Sequence, residues 1–426
     1  MKTATRSTVW AALLGIVITT SAWAGGLYLY EVGGPEVGLA AAGYAARAQD
    51  ATTVFTNPAG MTRLTRPEVQ LGVQPMYVNL KFSPDSNTTT SGSDGDGSDW
   101  LPTGSAFYVH PIGPDLRLGF GVAGYFGTSL KYEDDWVGRY YVKEVTMQGI
   151  SLLPTVAYRV NEWLSLGAGL TAMYGMFEDK VAVNNNPLGL GTAPDGELKL
   201  KDTDWGFGGN FGVLVELSKG TRFGVTYLTQ TKLNFKDSPS FSGITHPLMQ
   251  AVADRLSKAD LDLGMTAPQA VMARAYHALT DRLALLGNVG WQDWSRFGKV
   301  DVSVSSTNVD KDATVNVDYK DTWHVALGAQ YRVSDPWLLS CGAAYDSSML
   351  DDDQRNPSLP VGASWKFGLG AQYAWSPSLT LSGAYELTWG GDLSMDVNQG
   401  PVAGRVSGDF NNSAIHFIAL NVDWKL

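Results

Sequence analysis

With 426 residues and a single cysteine, Cys341, the chain has neither a disulfide framework nor a cysteine-based metal cluster. Its net charge of −11 excludes the basic face that a nucleic-acid partner requires. Gly (48), Tyr (18) and Trp (14) are plentiful, only 17% of residues are charged, and no window beyond the N-terminus is apolar enough for a spanning helix, so composition favours one large barrel over several soluble domains.

Residues 1–24 read as a secretory signal. Lys2 and Arg6 give a positive start, Val9 to Ile18 a short apolar run, and Ala22-Trp23-Ala24 a site for cleavage before Gly25. Residues 25–64 are rich in Gly and Ala and do not alternate, which suits short helices. A small-and-polar segment ahead of a wide barrel is suited to fill its lumen as a plug.

From about Arg66 onward the period is two. Trp365, Phe367, Leu369, Ala371, Tyr373 and Trp375 alternate with Ser364, Lys366, Gly368, Gly370, Gln372 and Ala374, apolar on one face and small or polar on the other. The stretches from Thr322 to Val333 and from Leu379 to Trp389 repeat the pattern. Short connections are expected at His110–Asp115, Arg159–Trp163, Glu216–Arg222, His277–Arg282, Arg332–Trp337 and Trp375–Ser378. Longer polar stretches intervene at 83–99, 129–146, 180–197, 232–262, 298–313, 349–362 and 391–404. This alternation predicts an all-β chain: a transmembrane antiparallel β-barrel of about 14 strands, with tight periplasmic turns and long outer loops. The expected division is a signal peptide (1–24), a plug (25–64) and the barrel (65–426). A last strand ending at Leu426 suits closure against the first.

Several motifs carry no chemistry in this setting. Gly119-Phe-Gly121-Val-Ala-Gly124 spells a dinucleotide fingerprint without the helix it needs. The five histidines show no metal spacing and no nucleophile elbow occurs, so no catalytic residue, metal or cofactor is expected. Acid clusters at Asp94, Asp96 and Asp99, at Glu133 to Asp135, and at Asp351 to Asp353 fall in outer loops as solvated surface. Divalent cations bridging them to lipopolysaccharide are an alternative.

In the N-terminal segment, Gly38-Leu-Ala-Ala-Ala-Gly43, Gln49-Asp50-Ala51 and Asn57-Pro58-Ala59-Gly60-Met61 follow one another. Further on come Trp291-Gln-Asp-Trp294-Ser295-Arg-Phe297, Lys320-Asp-Thr-Trp323 with Leu327-Gly-Ala-Gln-Tyr331, then Tyr345-Asp346 and Leu359-Pro360. In this order they resemble the FadL/TodX (OmpP1) family of outer-membrane transporters of long-chain fatty acids and other hydrophobic compounds. The plug motif is Asn57, Pro58 and Ala59. Two departures stand out: Val361-Gly-Ala-Ser364 replaces an acidic, Arg-bearing run, and Leu426 replaces a terminal Phe, although Trp424 still offers an aromatic to the barrel assembly machinery.

The resemblance implies an outer groove between loops, a deeper hydrophobic pocket, and a kinked third strand through which ligand leaves sideways. That strand is expected at about Leu116–Ser129, with Gly119, Gly121, Gly124 and Gly127 marking either the opening or packing room for the plug. A helix within 243–262 would present Leu248, Met249, Val252 and Leu256 as an apolar stripe, for ligand capture or for packing on a neighbouring loop. A fatty-acid carboxylate needs a cation: Lys366 in the lumen, with Arg139 and Lys131 on an outer loop. Lys366 paired to a plug acid such as Glu36 or Asp50 is the competing expectation. The substrate is then a fatty acid or a monoaromatic hydrocarbon. A general porin or adhesin and a barrel enzyme remain the other classes, and the molecule is expected to be a monomer in contact with outer-membrane lipids and lipopolysaccharide.

Overall fold

A computed structural model describes residues 27–186, 193–306 and 309–426. The expected signal peptide lies outside these residues. Read across bulges and breaks, fourteen strands run at 68–84, 104–112, 116–131, 144–159, 164–183, 196–218, 221–237, 260–278, 283–306, 309–332, 337–346, 364–376, 379–398 and 405–425. Every neighbouring pair is antiparallel, and Glu68–Val73 on the first strand pairs with Leu420–Lys425 on the last, closing the barrel.

Alternation sets the faces as expected. On the twelfth strand Ser364 and Lys366 are buried, while Trp365, Phe367 and Leu369 (64% exposed) point outward. Leu327 on the tenth strand is 72% exposed. A contiguous apolar exterior of this kind requires hydrocarbon around it. Its height follows from two aromatic rows. Trp291, Trp323, Trp365 and Trp389 lie on the outer side, with Trp323 opposite Trp291 and Trp365 opposite Trp389. Trp337, Tyr373 and Trp375 lie on the other. From Trp365 to Trp375 is about 33 Å along the strand, or about 25 Å of membrane at a tilt near 40°.

The six tight turns fall where the sequence places them. The outer loops differ. Strands continue past the membrane, so much of the expected loops 180–197, 232–262 and 298–313 is ladder, including Leu164–Val183 and Gly196–Ser218. The outer arms Thr231–Asp237, Asp260–Ala267, Lys299–Ser306 and Val309–Asn316 form a separate four-stranded sheet.

Residues 27–64 lie within the barrel, in short helices Gly34–Gly38, Tyr44–Arg47 and Thr53–Thr56 and a 3-10 turn Pro58–Arg63. Inward-facing glycines let this segment approach the wall. A Cβ on Gly342 would overlap the Leu39 carbonyl, one on Gly368 the Val37 carbonyl, and one on Gly167 the Ala59 amide. Gly43, at φ +65°, turns the chain into the second helix. Gly342→Val should therefore leave the barrel folded but unseat residues 37–42, costing about 1–3 kcal/mol by overpacking. The check is a lower denaturation midpoint with faster amide exchange confined to that stretch; unchanged exchange would refute the close-approach role.

Candidate functional site

The N-terminal segment carries backbone groups into the barrel interior, and inward-facing wall residues satisfy them. Arg117 Nε donates to the Leu64 carbonyl at 2.7 Å and Arg159 Nη2 to that of Thr62 at 2.5 Å. Arg222 donates to the Ala46 and Arg47 carbonyls, both at 2.7 Å. Asn210 Nδ2 reaches the Phe55 carbonyl at 2.7 Å, and Asn421 and Asn288 accept from the Gly34 and Gly43 amides. Within the Asn57-Pro58-Ala59 motif, Asn57 Nδ2 bridges the Ala45 carbonyl (2.7 Å) and the Val213 carbonyl on the sixth strand (3.1 Å), while its Oδ1 caps the Ala59 amide. The motif is thus a pin between segment and wall.

Two clusters of buried ion pairs bear on the segment. In the segment, Arg47 pairs with Glu36 at 2.7 Å and Asp50 at 2.6 Å. Toward the outer side, Lys366 Nζ lies 2.8 Å from Glu31 and 3.5 Å from Asp346, and Asp346 also holds His324 at 2.6 Å. Lys366 is therefore ion-paired to the segment, but through Glu31. The expected partners Glu36 and Asp50 are already committed to Arg47, because the Tyr44–Arg47 helix sets that side chain beside both.

The third strand, Leu116–Lys131, is where wall and segment merge. Its pairing with the second strand ends at Ser105 opposite Ala123, and its register with the fourth shifts between Gly124 and Phe126. There the Leu29 amide donates to the Tyr125 carbonyl and the Gly127 amide to the Leu27 carbonyl, both at 2.8 Å. The four glycines divide by role. Gly119 faces Met61 and Val54, and Gly121 faces Phe107 and Val54, giving packing room. Gly127, at φ +132°, lies against the Met147 carbonyl, whereas Gly124 has nothing near it.

Above this junction the interior is apolar. Tyr28 packs on Tyr125, Phe126 and Trp294 with ring centroids 5.6–5.9 Å apart, and Trp294 and Phe297 lead on to Tyr319. Leu233, Phe235, Leu261, Leu263, Met265, Val300 and Val302, from the outer four-stranded sheet, belong to the same buried cluster. Beneath it a cavity of about 30 Å³ is bounded by Tyr28, Tyr30, Tyr44, Phe55, Thr226 and Met272, among others.

The outer-loop candidates are apart from this interior. Arg139 is held by Asp195 (2.7 Å), the Ser91 carbonyl (2.7 Å) and the Tyr140 hydroxyl (3.0 Å). Burial pushes the Tyr140 phenol up to about 12, and its hydrogen bond to Asp195 adds to the shift. Lys131 is exposed opposite Glu144. The helix Pro247–Leu256 buries Ala253 and Leu256 and leaves Leu248 58% exposed, with Met249 and Val252 between. Among the described residues no group of His, Cys, Asp or Glu is arranged to hold a metal. Sequence reasoning missed Glu31, Asp346 and the inward arginines 117, 159, 222 and 274. Alternation alone places the arginines inside, since each shares a face with buried neighbours; their partners are non-local.

Residues 15–425 match the family described as outer membrane protein transport protein (OMPP1/FadL/TodX). The long-chain fatty acid transport protein of Salmonella typhi is 27% identical over 412 residues, covering 90% of this chain and 92% of that one. Outer membrane protein P1 of Haemophilus influenzae is 28% identical over 398 residues, 84% of each. In three dimensions the chain is similar to a Pseudomonas aeruginosa FadL homologue (21% identity, TM-score 0.81, 94% of this chain and 99% of that). It also resembles the Pseudomonas putida toluene transporter TodX (15%, 0.68, 96% and 100%).

The Lys366 cluster makes an asymmetric prediction. Lys366→Gln leaves Glu31, Asp346 and Glu386 together without their cation and should cost about 3–5 kcal/mol, whereas Glu31→Gln removes one of several acids and should cost less. Denaturant midpoints of the two variants decide it; equal losses would mean that Glu31 alone balances Lys366.

Proposed function

Because the chain belongs to the OMPP1/FadL/TodX family of outer-membrane transport proteins, we propose that it carries hydrophobic small molecules, long-chain fatty acids first among them, inward across the bacterial outer membrane. The carrying observation is the apolar outer half of the interior, where Leu233, Phe235, Leu261, Leu263, Trp294 and Phe297 face inward. A water-filled porin has a polar lumen. Each CH₂ kept out of water is worth ~0.8 kcal/mol, so an apolar interior retains a hydrocarbon tail that a wet pore would reject.

The route we propose runs from the loops, past the exposed Leu248 and the half-buried Met249, into this interior. The N-terminal segment acts as a plug over residues 25–64. Ligand leaves beside the third strand, where the segment occupies the gap that the second strand vacates. A monoaromatic hydrocarbon such as toluene, the cargo named for a structural relative, is the alternative cargo on the same route. A closed barrel leaves no unpaired edge, which fits a monomer in contact with outer-membrane lipids and lipopolysaccharide and assembled by the barrel machinery.

Binding of oleate and toluene to the purified, detergent-folded protein tests the class. Saturable oleate binding is expected; failure to bind either, with free passage of small sugars in proteoliposomes, would restore the porin. The route is tested by Tyr28→Cys with Phe126→Cys in a Cys341→Ala background, since positions 28 and 126 are bridge partners. Oxidation should block oleate delivery and reduction should restore it, with binding intact throughout. Delivery by the oxidised form would place the exit elsewhere.

A further inference from the structure

The outer arms of the seventh to tenth strands do not simply continue the wall. Each strand is interrupted near the outer aromatic row, at residues 229–230, 268–269, 293–298 and 317–321. The interruptions lie side by side, because Leu228 pairs with Ala270, Ala270 with Gln292 and Gln292 with Thr322. Four adjacent breaks make a crease, and the separate four-stranded sheet lies beyond it.

That sheet leans inward. A Cβ on the buried Gly175 of the fifth strand would lie 2.7 Å from a Leu233 δ-carbon, and the Phe235 ring centroid is 5.5 Å from that of Phe177. Its faces differ: Leu233, Phe235, Leu261, Leu263, Val300 and Val302 are buried, whereas Lys232, Asn234, Lys236, Asp260 and Asp301 are exposed. Its edge strand Thr231–Asp237 has no backbone ladder to the sixth strand among the described residues. Side chains fasten it there. Asp204 accepts from the Asn234 amide at 2.7 Å, Asp202 from the Lys236 amide at 2.6 Å, and Asp237 from the Lys201 amide at 2.7 Å. A ladder resumes only at Ser240–Ser242 against Glu197–Lys199.

The apolar interior beneath the sheet is closely packed. The cavity of about 30 Å³ that adjoins it has room for about one water molecule and none for an acyl chain. An entering ligand must therefore displace protein. The N-terminal segment is pinned by buried bonds from Arg117, Arg222 and Asn57. The three bonds of the sheet edge are solvent-exposed, so water can replace each of them, and weakly held elements are the ones that open.

We propose that the outer sheet is a lid that swings about the crease to admit ligand, and that Asp202 and Asp204 are its latch. Opened, it offers its apolar face to the incoming hydrocarbon; closed, it keeps water from the bound tail. The crease is braced against unravelling. Gln269 links the Tyr227 hydroxyl (2.7 Å) to Asp293 (2.9 Å), and Asp321 joins the Ser295 amide to the Trp291 indole, both at 3.1 Å. The lid rests on the transport reading above.

Stopped-flow binding of a fluorescent long-chain fatty acid to the detergent-folded protein tests both parts. Asp202→Ala with Asp204→Ala should raise the rates of entry and release alike, each about fivefold or more, with affinity nearly unchanged. A merely structural pair would weaken binding without hastening entry. Gly175→Cys with Leu233→Cys, in a Cys341→Ala background, ties the sheet to the fifth strand, and the bulk removed at 233 makes room for the side chain added at 175. Oxidation should slow entry at least about tenfold and reduction should restore it. Each preparation is its own control, so this variant decides the lid even if the alanine pair fails to fold. Entry indifferent to oxidation overturns the lid, and entry indifferent to the alanines overturns the latch; either leaves the transport reading standing. A wild type that binds no fatty acid overturns that reading and the lid with it.

Discussion

Inside a bilayer no water can take up an unpaired backbone amide, so a spanning sheet is stable only when its edges meet. Here they meet where Glu68–Val73 pairs with Leu420–Lys425. Closure over this many strands leaves a bore wider than wall side chains fill, and the chain's own N-terminal residues occupy it. That solution moves the hydrogen-bond problem inward. A non-ladder segment in a closed lumen needs acceptors and donors from the wall, which Arg117, Arg159, Arg222, Asn210, Asn288 and Asn421 provide. Glycines on the same face bring wall and segment into contact.

The interior is consequently divided. Around the segment it is polar and tightly packed, with Arg47 held by Glu36 and Asp50. Above it lies the apolar cluster of Tyr28, Phe126, Trp294, Phe297 and the outer sheet. The segment also completes the wall at one place. Two hydrogen bonds of the third strand, at Tyr125 and Gly127, go to Leu29 and Leu27, respectively, and not to another barrel strand. Displacing the first residues of the segment would free backbone groups of the wall itself, so the state of the segment and the integrity of the wall are linked by the same bonds.

Much of this was legible in the residues. Period two fixed which side chains meet lipid, and Trp365 to Trp375 measured the membrane on a single strand. Turn chemistry placed all six short connections, and the signature Asn57-Pro58-Ala59 marked the segment that is pinned. These features are local: each depends on pleat geometry or on the preference of a few adjacent residues. Loop lengths were less legible, because a ladder that continues beyond the membrane carries polar residues on both faces and reads like a loop.

What the sequence determined by itself is therefore the architecture, the two surfaces of the wall, and the family of transport proteins to which the chain belongs. What only the tertiary structure decided is who partners whom inside. Lys366 faces the lumen by alternation, but that its acid is Glu31 depends on contacts hundreds of residues apart. Arg117 and Arg222 are indistinguishable by pattern from other inward side chains, and only the path of the N-terminal segment gives them their carbonyls. Periodicity reports direction; pairing is a property of the folded interior, where burial makes each missing or present partner decisive.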